Sequence, residues 1–203
     1  MFSTLKSWIS NTRKISGSGN SISLGSSRVR RCSFEIRGEG NTIDVQGSFV
    51  LGARFVIHGS GNRIVIHSDC SMNDNSEFSC FGDNGSIEVG RGSTSQGSIV
   101  QSHQGAGVSI GEDCLLAWQS GFLTGDFHDV FSVTDGSRVN TPQGISVGNK
   151  VWVGSKACVL KGVQIPDGCI IGIGSIVTRH AFEGNSVIAG NPARSVKSGV
   201  RWN

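Results

Sequence analysis

Residues 145–180 read ISVGNKVWVGSKACVLKGVQIPDGCIIGIGSIVTRH, and a period of six runs through them. Apolar side chains stand at Val147, Val153, Val159, Ile165, Ile171 and Val177 without a break. Small or moderate residues fill Val151, Ala157, Val163, Cys169 and Ser175, and Gly148, Gly154 and Gly172 follow the apolar position. A Gly-rich β-sandwich does not give six consecutive matches to a period of six. Three hexapeptides make an 18-residue triangular coil in which the apolar residue points inward and glycine turns the chain. Such coils stack in parallel, each burying the face its neighbour cannot bury alone.

Upstream the same design runs on a longer step. GNSISL at 19–24, GNTIDV at 40–45 and GNRIVI at 61–66 place Ile22, Ile43 and Ile64 at intervals of 21 residues. Ile87 and Val108 continue the series, while Phe34 and Ile36 return as Phe55 and Ile57. Coil starts near 22, 43, 64, 87, 108, 145 and 163 count to seven. The expected fold class is therefore all-β: a parallel β-helix of about seven triangular coils over residues 19–183.

Three segments fall outside that repeat. Within residues 1–18, Phe2, Leu5, Trp8 and Ile9 have helical spacing, which predicts a short N-terminal helix capping the apolar end of the prism. With Lys6, Arg13 and Lys14 nearby, that helix also suggests a weak membrane-surface association. Residues 124–143, TGDFHDVFSVTDGSRVNTPQ, interrupt the coils with a polar insertion, the place where function is expected. Residues 184–203 form a C-terminal tail.

Composition excludes several classes. Glycine is 30 of 203 residues and proline only 3, which fits neither collagen nor a Pro/Gly-rich disordered tract. No apolar run approaches the ~18 residues of a membrane span, and the first residues lack the apolar core of a signal peptide. A net charge of +3 is too slight to indicate nucleic acid. The basic run Arg28, Arg30, Arg31 and Arg37 is interleaved with Glu35 and Glu39 and reads as a solvated face. Six cysteines without a CxxC pair point to reduced, buried thiols and a cytoplasmic protein.

The quoted C-terminal run, with VIAGNPAR at 187–194, resembles the hexapeptide-repeat acyltransferases, best in the polysaccharide O-acetyltransferase branch. The longer N-terminal coils, Asp126-x-His128, Arg138-Val139-Asn140 and Trp152 fit that branch. The resemblance implies a left-handed β-helix, a homotrimer, acetyl-CoA as donor, a histidine base and a carbohydrate or polysaccharide acceptor. Two positions depart from the branch: Gln104 stands where a Glu is common, and Asp129 where Ser often follows the histidine.

Acyl transfer from a thioester to a hydroxyl needs a base, because an alcohol is a poor nucleophile at neutral pH. Of five histidines (58, 67, 103, 128 and 180), His128 lies in the insertion, flanked by carboxylates, and is the expected base. Asp126 is the expected orienter of its ring. Trp152, between inward Val151 and Val153, is expected to point outward as a ligand wall or N–H donor. Trp118, Phe127, Asn140 and His103 are candidates for acceptor binding. For the donor, Gly154, Ser155, Ala157, Gly172 and Ser175 are expected along the pantetheine arm, and Lys161, Arg179, Arg194 and Lys197 near the phosphates.

Other readings stand beside this one. Serine, an amino sugar or an antibiotic are alternative acceptors. A γ-type zinc hydratase needs three converging histidines, and only His103 and His128 lie near one another in coil order, so no metal is expected. A non-catalytic binding solenoid would display flat repeated Thr ladders, which the chain lacks.

Overall fold

The computed structural model describes residues 11–178 and 182–203. They form three parallel sheets wrapped into a triangular prism. The first sheet stacks Thr12–Ser16, Ser33–Arg37, Arg54–His58, Glu77–Phe81, Ile99–His103, Gly121–Leu123, Cys158–Leu160 and Ile176–Val177. The second runs in seven strands from Ser21–Ser23 to Gln164–Ile165. The third runs from Arg28–Arg30 through Trp152–Val153 and Ile170–Ile171 to Val187–Gly190, against which Ala193–Lys197 turns back antiparallel.

The predicted periods mark the interior. Val147, Val153, Val159, Ile165, Ile171 and Val177 all belong to the buried core, as do Val151, Ala157, Val163 and Cys169. Equivalent residues sit directly above one another, so like packs on like. Phe34 and Phe55 stack with centroids 5.0 Å apart, and Phe55 and Phe78 at 5.4 Å.

The corner between the first and second sheets is set by sequence too. In the first three rungs it reads Gly-x-Gly-Asn: 17–20, 38–41 and 59–62. The side-chain oxygen of Asn20 accepts from the backbone N (3.0 Å) and Nδ2 (3.0 Å) of Asn41. Asn41 repeats this for Asn62, whose oxygen accepts from Gly85 N at 2.8 Å. Gly59, with φ +138°, leaves no space for more: a Cβ there would lie 2.0 Å from the carbonyl oxygen of Gly82.

Two expectations need correction. There are eight turns rather than seven, because an additional rung begins at Thr12. There is also no helix among the described residues. Thr12–Ser16 is a strand paired in register with Ser33–Arg37, and Ile15 opposes Ile36, one 21-residue step before it. Arg13 and Lys14 therefore lie on a strand, not on the polar face of a helix; Phe2, Leu5, Lys6, Trp8 and Ile9 lie outside the described residues. No helix of the described residues is long and apolar enough to cross a membrane.

Removing the middle ring of the aromatic stack tests this packing. Phe55→Ala should cost ~3–5 kcal/mol, because rungs above and below cannot collapse into the space without breaking register. Denaturant unfolding of the two proteins measures the difference.

Candidate active site

The insertion leaves the sixth rung after Leu123 and re-enters at Ile145. Its two ends are tied together and to the rung beneath. Thr124 is buried and accepts a hydrogen bond from His103 N at 2.8 Å, while Gln143 N donates to Thr124 O at 3.0 Å. Gly125 lets the chain close over His103, since a Cβ there would sit 2.8 Å from the histidine's own Cβ.

Asn140 is the crosspiece of the loop. Its Nδ2 donates to Asp126 Oδ2 (3.0 Å) and to the His128 carbonyl (2.7 Å), and its Oδ1 accepts from Val130 N (2.8 Å). Lys161, from the rung that follows, pairs with Asp126 and donates to Asn140 O at 3.3 Å. The Lys161 ammonium, with help from Asn140, holds the Asp126 carboxyl below the usual carboxylate range. Further out, Arg138 pairs with Asp129 at 2.7 Å and donates to Gln104 Oε1 at 2.8 Å.

This arrangement fixes the backbone of His128 and leaves its side chain exposed. The Asp126 carboxylate is bonded to Lys161 and Asn140, not to the imidazole. His103, Phe127, Asn140 and Lys161 gather with Asp126 and His128 at the edge between the first and second sheets.

A second group gathers along the third sheet. Trp152 opens one of its strands with the side chain outward, while Val153 beside it is buried. Gly154, Ser155 and Gly172 turn the corner at the far end of that sheet, where Trp118 lies exposed under the Lys156 ammonium, 5.3 Å from the ring centroid. Arg194 and Lys197 are exposed on the antiparallel strand that ends the sheet. The side chains of Ala157 and Ser175 face the interior, and their amides donate to Gly154 O and Gly172 O. Arg179 lies outside the described residues.

The two groups do not meet within one chain. His128 precedes the second-sheet strand Ile145–Val147 and Trp152 follows it, so the second-sheet side of the prism lies between them.

Some site features escape a reading of the sequence. Trp202 donates its indole N–H to Lys150 O at 2.7 Å and lies 6.3 Å from Trp152. Phe81 and the Arg138–Gln104 contact border the loop, and the in-register column Arg37, His58, Phe81, His103 was the available signal for Phe81.

Burial raises the pKa of all six thiols, to about 12 for Cys80 and about 11 for Cys114, which leaves no ready thiolate nucleophile. Among the described residues no three His, Cys, Asp or Glu side chains converge as metal ligands do.

Comparison with known proteins bears on the fold and the family. No protein-family model matches the chain. A polysialic acid O-acetyltransferase of Neisseria meningitidis is 30% identical over 137 residues, 68% of this chain and 57% of the relative. The chain thus spans just over half the length of that protein. The crystal structure of the polySia-specific acetyltransferase NeuO superposes with a TM-score of 0.81 at 25% identity, over 96% of this chain and 89% of the other. The polysialic acid O-acetyltransferase OatWY has the same fold, with a TM-score of 0.84 at 23% identity over 95% and 90% of the two chains. The eight-turn prism and these relatives together place the chain in the hexapeptide-repeat acyltransferase family, and polysialic acid O-acetyltransferases are among the proteins it resembles.

Proposed function

We propose that the chain transfers an acetyl group from acetyl-CoA to a sugar hydroxyl of a polysaccharide, in sites formed between the subunits of a homotrimer. The observation that carries this reading is the braced loop at one edge of the prism, which presents a solvent-accessible imidazole while every thiol stays buried or protonated. In the proposed reaction His128 takes the proton of the acceptor hydroxyl as its oxygen attacks the thioester carbonyl. The tetrahedral intermediate then collapses, the C–S bond breaks, and the proton passes from the imidazolium to the departing CoA sulfur. Only the neutral imidazole can begin this cycle.

Two features support a site shared by subunits. The base and the Trp152 wall lie on different edges of one prism, so a neighbouring chain is needed to bring them face to face. The loop also exposes Val130, Phe131, Val133 and Val139, an apolar set that a neighbouring subunit would cover. Along the third sheet, Ser155 and Gly172 would border the pantetheine arm, and Arg194 and Lys197 would meet the phosphates. Six free cysteines suit a reducing, cytoplasmic setting.

His128→Ala should retain thermal stability and CoA binding while turnover falls by ~10²–10⁴, the worth of a positioned base. Thiol release from acetyl-CoA in the presence of a glycan panel measures it, and near-normal transfer by the variant rejects His128.

Subunit sharing has its own assay. Co-expressed His128→Ala and Trp152→Ala chains should recover activity that neither variant has alone, because mixed trimers contain interfaces with an intact loop facing an intact tryptophan. Mixed trimers no more active than the separate variants would place the whole site within one chain.

The Asp126–Lys161 contact carries a pH signature. A carboxyl with a lowered folded pKa stabilises above its ordinary pKa, and that contribution is lost as pH falls through the folded value. Pepsin should therefore begin to cut the loop only below the usual carboxylate range. In Asp126→Asn the cutting should begin at higher pH and lose this dependence, with a smaller loss of turnover than His128→Ala.

A further inference from the structure

One polar atom near the loop has no partner. His103 is 6% exposed, and among the described residues nothing hydrogen-bonds its Nε2. A buried polar atom left in that state costs free energy, so its persistence calls for a ligand or a role. Burial also pushes the imidazole below its ordinary pKa, against a smaller upward pull from Asp126, which keeps the ring neutral at physiological pH.

The His103 side chain helps to line a cavity. Phe81, Gly82, His103, Gln104 and Phe127 enclose about 320 Å³ that opens to solvent. Phe81 lies against the His103 ring with centroids 5.4 Å apart, and Phe127 meets it edge-on at 4.6 Å. Phe127 is 63% exposed and holds φ +62°, a left-handed conformation that a bulky residue rarely adopts. Strain and exposure of a large apolar ring coincide there, which is expected where the chain is shaped for a ligand and not for its own packing. Arg138 occupies Gln104 Oε1, so the amide NH2 of Gln104 remains to donate at the rim.

Two aromatic surfaces, one neutral imidazole nitrogen and one amide donor suit a particular chemistry. Pyranose rings offer apolar C–H faces that rest on aromatic rings, and hydroxyls around their edge that both donate and accept hydrogen bonds. A phosphate or carboxylate group would find no free cation in the cavity, since Arg138 is already paired with Asp129. We infer that this cavity is the acceptor subsite: a pyranose unit of the glycan docks against Phe81 and Phe127, which flank the His103 ring, with one hydroxyl on His103 Nε2. The column continues down the prism from Phe81 to His58, 5.7 Å away edge-on, so the next unit of a linear glycan has a surface to follow. His103 is then a positioning residue, one rung below the loop that carries His128, and takes no proton from the reacting hydroxyl.

This inference rests on the sugar-acetylation reading for its kinetic arm only. His103→Leu and Phe81→Ala should each raise the acceptor KM by about tenfold and leave the acetyl-CoA KM unchanged. His103→Gln, which returns a hydrogen-bonding atom near the place of Nε2, should recover part of the loss. An unchanged acceptor KM, or equal rises for donor and acceptor, overturns the subsite. The second arm needs no catalysis. Maltotriose and, separately, methyl β-galactoside are titrated into the wild-type protein without acetyl-CoA, and the His103 imidazole Cε1–H resonance is followed by NMR, assigned by its loss in His103→Gln. A saturable shift with either sugar supports the subsite even if acetyl transfer is absent; no shift with either overturns it even if the enzyme acetylates another acceptor.

Discussion

Stacked coils hydrogen-bond to one another only if each turns its corners at the same places, since a shift of one residue would send every inward side chain outward. The asparagine ladder at the first corner enforces that alignment in the early rungs. Each Asn carries the next Asn through both its backbone and its side chain, so no rung can slip without leaving a buried amide unpaired. The glycines before it are required by the same constraint: Gly38 and Gly59 each pass within van der Waals range of a carbonyl of the following rung, where a methyl group cannot fit. Register, in turn, makes the aromatic stack and the valine columns possible.

The candidate site begins where that ladder ends. Asn62 hands its last bond to Gly85; the next corner carries Gln104 at φ +47°, and the one after it opens into the 124–143 loop. A corner no longer committed to holding its neighbour is free to lengthen. The rungs on either side stay in register, because Val108–Ile110 pairs directly with Ile145–Val147 across the insertion. A rigid scaffold thus carries a loop whose composition can vary without cost to the core. Asn140 and Lys161 replace the lost ladder locally, tying the loop to itself and to the following rung.

Much of this was legible in the sequence, for a physical reason. A solenoid makes its contacts between equivalent positions, so periodicity in the chain is periodicity in space; the core columns and the site of the insertion could be read directly. The first rung was misread because Phe2, Leu5, Trp8 and Ile9 suggest a helix, and that pattern was carried past its end into Thr12–Ser16. The step from Ile57 to Ile36 extends by another 21 residues to Ile15, and it is the stronger signal. What periodicity cannot show is a contact between non-equivalent positions. Asp126 meeting Lys161, Arg138 meeting Gln104 and Trp202 meeting Lys150 all depend on where an irregular segment folds back, and no repeat encodes that.

The chemistry asked of such a frame is modest, and the frame matches it. A thioester is already activated, so acyl transfer needs a placed base and placed reactants more than a covalent relay. The distribution of titratable groups follows that division. Thiols are buried, with pKa values raised by desolvation, so none competes as a nucleophile. The carboxylate beside His128 is spent on bracing the loop, which places the imidazole through its backbone instead of through a ring hydrogen bond. His103, one rung down, has its pKa lowered by burial, and its Nε2 has no hydrogen-bond partner among the described residues. Two histidines of one chemical type thus stand in different environments, His128 exposed on the loop and His103 buried one rung below it.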